Sequence, residues 1–83
     1  MIKAEIYITL KKTLADPQGL AIKHALDSLG YDTVNDVRTG KLITVELNLK
    51  DRKEAEKKID DMCKKLLANP IIEDYKFQIK GEK

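Results

Sequence analysis

Apolar and polar residues alternate without a break from Ile2 to Leu10: Ile2, Ala4, Ile6, Ile8 and Leu10 point one way, Lys3, Glu5, Tyr7 and Thr9 the other. A period of two is the mark of a strand buried on one face only. After Asp16-Pro17 the period changes, and Ile22, Ala25, Leu26 and Leu29 recur at helical spacing. The aspartate offers a capping acceptor, the proline has the φ of a first helical position, and Gly30 supplies a left-handed stop. Residues 31–39 read as a strand of less regular alternation. Gly40 then marks a tight reversal into a second arm over 41–49, whose buried face is Ile43, Val45, Leu47 and Leu49. Asp51 and Glu54, three apart, open a long helix in the manner of a capping box. Its apolar stripe is Ala55, Ile59, Met62, Cys63 and Leu66, and Asn69-Pro70 ends it. Tyr75, Phe77 and Ile79 alternate with polar residues in a last strand before a polar tail over 80–83.

The predicted order is βαββαβ, an α+β fold over 1–83 as a single domain. Right-handed crossovers would lay both helices on one face of an antiparallel four-stranded sheet. Such a sheet keeps one face without a helix and two edges with unpaired backbone groups. The uncovered face would carry Tyr7, Thr9, Leu42 and Thr44, a mixture suited to a subunit contact. The expectation is a homo-oligomer joined through its sheets.

Size and composition agree with one small core. At 83 residues the chain buries only about 60–65% of the surface its unfolded form exposes. With 42% hydrophobic and 36% charged residues it can fold, and the charge run on the second helix is a solvated face. Lys and Arg number 16 against 14 Asp and Glu, interspersed, so no basic block points to nucleic acid or an anionic membrane. The alternating start is neither a signal peptide nor a membrane span, which makes the expected location cytoplasmic.

Little in the chain could perform chemistry alone. His24 and Cys63 are the only residues of their kinds, and a Cys-His pair here would have no third orienting group. Four separated glycines make no phosphate cradle. An RNA reader on such a sheet would display aromatics that the 42–49 strand lacks, and a metal carrier would need two cysteines after the first strand. Two segments are more specific than folding demands. Gly19 sits in a first helical turn at a cost of about 1 kcal/mol against alanine, which points to close approach of a neighbour, within the chain or across an interface. Arg38 and Lys41 flank a hairpin tip, where they are either solvated or grip a carboxylate or phosphate on a partner.

These segments carry a resemblance. Asp16-Pro17-Gln18-Gly19, His24-Ala25-Leu26 with Gly30-Tyr31, Asp36-Val37-Arg38 with Gly40-Lys41, and Cys63-Lys64-Lys65-Leu66-Leu67-Ala68-Asn69 followed by Ile72-Glu73-Asp74-Tyr75 together resemble the PurS family. That family is the small subunit of phosphoribosylformylglycinamidine synthase, which makes formylglycinamidine ribonucleotide from formylglycinamide ribonucleotide, ATP and glutamine. The resemblance implies a chain that binds no cofactor, while ATP, Mg and glutamine are used by partner subunits. It implies a dimer or tetramer bridging a PurL-type synthetase and a PurQ-type glutaminase and supporting ammonia transfer. Carried over position by position, it nominates Arg38, Gly40, Lys41, Asn69, Glu73, Asp74 and Tyr75 as contact residues. The rival reading is a small-molecule-binding regulatory module of ferredoxin-like type. A third, an enzyme using Cys63 and His24, requires an exposed, reactive thiol.

Overall fold

The strand at the start of the chain, β1 (Ile2–Leu10), lies at the centre of the sheet in a computed structural model that describes residues 1–82. It pairs antiparallel with β2 (Gly40–Leu47) on one side and β3 (Glu73–Glu82) on the other. Ile2, Ala4, Ile6 and Ile8 have almost no exposed surface, so the alternation seen in the sequence is the burial pattern of the strand. Register follows from that pattern, because a slip of one residue would turn all four to solvent. β3 begins two residues before Tyr75 and runs on through most of what reads as a polar tail. A bulge opposite Lys3 and Ala4 keeps it in step with β1. Lys83 lies outside the described residues.

Over this sheet lies α2 (Arg52–Met62), capped by the Asp51 carboxylate accepting from Lys53 N at 3.0 Å. Ala55 and Ile59 are fully buried, and with Ala4, Ile6, Ile8, Cys63 and Ala68 they make the core. The stripe departs from expectation at its end. Residues Cys63–Leu67 form one π-helical turn, wider than an α turn, and the change of phase turns Leu66 out to 82% exposure while Leu67 packs against the core.

The other helix, α1 (Pro17–Ser28), forms as the sequence predicts. Asp16 is its N-cap and Pro17 its first residue, and it closes in a Schellman motif: Tyr31 N donates to Leu26 O at 3.0 Å, Gly30 N donates to Asp27 O at 3.1 Å, and Gly30 has φ +96°. Its position differs from expectation. No α1 residue joins the core, only Gly19 is buried within it, and Leu20 and Leu29 are 53% and 74% exposed. Residues 31–39, expected to be the first arm of a hairpin, form no ladder, so the sheet has three strands rather than four. The physical reason lies at either end of that segment. Its far end is held against the first turn of α1 by Asp16, and within one chain the outer edge of β2 is left without a strand.

The outcome is a thin, elongated molecule of 49 × 29 × 14 Å with a Cα radius of gyration of 16.3 Å. A compact chain of this length would have about 12 Å. On the helix side, Ile43, Val45 and Leu47 of β2 are only half-buried. On the other side, Tyr7 lies beside Glu5, its hydroxyl donating to Glu5 Oε1 at 3.0 Å, with Lys76 Nζ 5.9 Å above its ring and Leu42 exposed opposite.

The π turn makes a prediction about stability. Ile59→Ala, in the core, should cost about 2–5 kcal/mol in urea unfolding, whereas Leu66→Ala should stay within about 0.5 kcal/mol. A continuous α-helix would make both costly, so a large loss for Leu66→Ala would contradict the turn.

Candidate partner interface

The backbones of the nominated residues gather at the C-terminal end of β1, and all but Tyr75 belong to one cluster there. In the ladders Leu10 pairs with Glu73, Thr9 with Asp74 and Gly40, and Ile8 with Lys41 and Tyr75, so the strand register alone brings residues some thirty positions apart into one place. Lys11, the residue after β1, ties three segments together through its backbone. Its N–H donates to Ile72 O at 2.9 Å, and its carbonyl accepts from Leu14 N at 2.9 Å and from Arg38 Nη2 at 3.1 Å. Its ammonium lies 2.9 Å from Asp74 Oδ1.

Asp16 fixes the end of the 31–39 segment to the helix. One carboxylate oxygen accepts from Gly19 N at 3.0 Å. The other accepts from Thr39 N at 2.6 Å and Thr39 Oγ1 at 2.9 Å. The N–H donors of Gly19 and Thr39 outweigh the burial of the side chain and hold its pKa down to about 2. Thr39 sits between Arg38 and Gly40, so this one carboxylate sets where β2 begins. The glycine inside the helical turn now has its reason, since a Cβ on Gly19 would collide with the backbone carbonyl of Val37. The close approach is within the chain. Gly40 is under a similar constraint, because a Cβ there would lie 2.7 Å from Ile8 O.

On the far side of Lys11, Asn69 and Glu73 brace a tight turn. Glu73 Oε1 accepts from Asn69 N at 2.7 Å, Asn69 Oδ1 accepts from Ile71 N at 3.1 Å, and Asn69 O accepts from Ile72 N and Glu73 N. Lys41 Nζ stands 3.7 Å from the second Glu73 oxygen. Asn69, Glu73 and Gly40 are therefore parts of the framework, while Arg38, Lys41 and Asp74 present side chains to solvent.

Tyr75 is separate. It lies on the helix side of the sheet, and its hydroxyl donates to Asp60 Oδ1 at 2.5 Å. That bond to a carboxylate pushes its pKa up to about 12 and lowers that of Asp60. Below this pair Cys63 is wholly buried, and burial pushes its thiol up, which disfavours the thiolate a nucleophile needs. His24 is exposed on α1, away from the core that holds Cys63, so the Cys-His reading has no geometry. Among the described residues no three His, Cys, Asp or Glu side chains are placed to hold a metal ion, and no helix is long and apolar enough to cross a membrane.

The family model for PurS, described as phosphoribosylformylglycinamidine (FGAM) synthase, matches residues 3–81. The chain belongs to the PurS family. Among relatives named phosphoribosylformylglycinamidine synthase subunit PurS, the Bacillus subtilis protein is 43% identical over 79 residues, covering 95% of this chain and 93% of that one. The Archaeoglobus fulgidus protein of the same name is 46% identical over 72 residues, covering 87% and 90%. Methanocaldococcus jannaschii PurS, described as one of the subunits of formylglycinamide ribonucleotide amidotransferase in the purine biosynthetic pathway, superposes with a TM-score of 0.90 at 37% identity and complete coverage of both chains. A chain in the structure of PurLQS from Thermotoga maritima matches with a TM-score of 0.86 at 27% identity, covering 94% of this chain and 95% of that one. The elongated shape, with α1 off the sheet, is thus shared with solved PurS-family chains.

Two outcomes test the Asp16 junction. Gly19→Ala, which would gain about 1 kcal/mol from helix propensity alone, should instead destabilise by about 1–3 kcal/mol, as read from urea midpoints. Asp16 has a folded-state pKa below its ordinary value of 3.8. Its ionised form therefore favours the fold at neutral pH, and that contribution is lost as pH falls from about 4 towards 2. The stability gap between the native chain and Asp16→Asn should be wide at pH 6 and narrow at pH 2.5. A gap independent of pH would remove the carboxylate from its role.

Proposed function

We propose that this chain is the non-catalytic small subunit of phosphoribosylformylglycinamidine synthase in purine biosynthesis. It joins a PurQ-type glutaminase to a PurL-type synthetase and supports ammonia transfer between them. The observation that carries the reading is a family match from residue 3 to 81, to proteins named as subunits of that enzyme. On this reading ATP, Mg and glutamine are handled by the partner subunits.

The fold supports the same reading from its unfinished burial. A helix with Leu20 and Leu29 in solvent, a half-covered β2 and two free sheet edges are surfaces that association would complete. The reading accordingly includes self-association as a dimer or tetramer, with a second copy covering α1 and β2.

Reconstitution is the direct test. Glutamine-dependent synthase activity of the two partner proteins should rise at least tenfold on adding this chain. Activity that does not depend on it would defeat the proposal. Sedimentation of the chain alone at micromolar concentration should show a dimer or larger species, and a monomer would remove the self-association. A thermal shift with a small metabolite on the chain alone, without any dependence on partners, would favour the regulatory alternative.

A further inference from the structure

The Lys11 junction carries more than the charged residues that the family resemblance nominates. Leu14 closes the turn whose N–H reaches the Lys11 carbonyl, and Ile72 gives its carbonyl to the Lys11 N–H, so both lie against the same backbone group. Both are exposed, and Ile71, held in the Asn69 turn beside them, is 80% exposed. Three aliphatic side chains thus reach the surface at this hydrogen-bonded end of the sheet, Ile71 with most of its area and Leu14 and Ile72 with little more than a third of theirs. A rigid backbone under exposed aliphatic groups is what a docking surface requires, since little ordering is left to be done on binding.

The charges around these groups are unevenly spent. Asp74 is committed to Lys11, Glu73 to Lys41 and Asn69, and Asp16 to backbone N–H groups. Lys12 is exposed with no partner among the described residues, Lys41 is 66% exposed and only 3.7 Å from its carboxylate, and Arg38 donates to a neutral carbonyl. Asp36, two residues before Arg38, is exposed and has no partner among the described residues. Two copies meeting through this surface about a two-fold axis would oppose cation to cation. An acidic surface would be complementary.

We propose that Leu14, Ile71 and Ile72, ringed by Lys12, Arg38 and Lys41, form the docking surface for a different protein chain, one presenting an apolar pocket bordered by carboxylates. This deepens the subunit reading and rests on it. Self-association then uses α1 and the sheet, and the Lys11 end is left for the heterologous partner.

The test uses the full chain with the partner proteins of the complex, after circular dichroism has shown each variant folded. Ile71→Asp should weaken association at least tenfold, with self-association unchanged. Lys12→Glu should weaken it several-fold, by a factor that shrinks as salt is raised from 50 to 500 mM. Ile71→Ser, a milder change at the same exposed position, should fall between the native chain and Ile71→Asp. If the native chain assembles and Ile71→Asp assembles equally well, the surface is wrong and the subunit reading stands. Loss of self-association in Ile71→Asp would overturn the proposal in favour of a second copy. If the native chain does not join the partners at all, the subunit reading falls, and this surface with it.

Discussion

The structure depends on β1 being paired on both sides. A three-stranded sheet has only one such strand, and here it supplies Ile2, Ala4, Ile6 and Ile8, half of the buried apolar residues, to the space beneath α2. The flanking strands contribute only half-buried side chains. Other segments are placed directly against β1 or its end: α2 by packing Ala55 and Ile59 over it, and the Arg38 segment and the Asn69 turn by converging on Lys11, the residue after its end.

From this constraint follows the division of the molecule into a finished and an unfinished part. Beneath α2 and the π turn the core side chains are buried. Beyond it, α1 is anchored chiefly at its first turn, where Asp16 holds both the helix and Thr39, and its apolar side chains join no core: Leu20 and Ile22 are exposed and Leu26 is only half-buried. A small chain that cannot close two helices over one sheet has the surface area of an assembly component, and membership of the PurS family supplies the assembly in which such a component has a role.

The periodic elements were legible in the sequence because burial imposes period. β1, α1, α2 and β3 follow their patterns, and the Asp16 and Asp51 caps and the Gly30 stop stand where residue chemistry puts them. What failed to be legible depends on tertiary placement. The 31–39 segment has strand-like residues, but Asp16 holds its end at Thr39 against α1 and it forms no ladder with the free edge of β2. The helical spacing of Ile22, Ala25, Leu26 and Leu29 says that a face is apolar without saying whose core it enters. Leu66 fits an α phase that the π turn breaks. At the candidate interface the resemblance found Arg38 and Lys41, yet Lys11 acts through backbone groups that every residue type possesses, so its identity carries no signal. Ile71 and Ile72 did have one: an apolar pair just after Pro70, in a turn, has nowhere inside to go.

The ladder between β1 and β3 has a consequence for how the protein folds. Leu10 pairs with Glu73 and Ile2 with Glu82, so the central strand waits for nearly the last residues of the sheet before its second edge is satisfied. That second edge closes only when a loop of about sixty residues is brought back, and α2 lies inside the loop, so the core beneath the helix and the long-range ladder form together and set a slow step in folding.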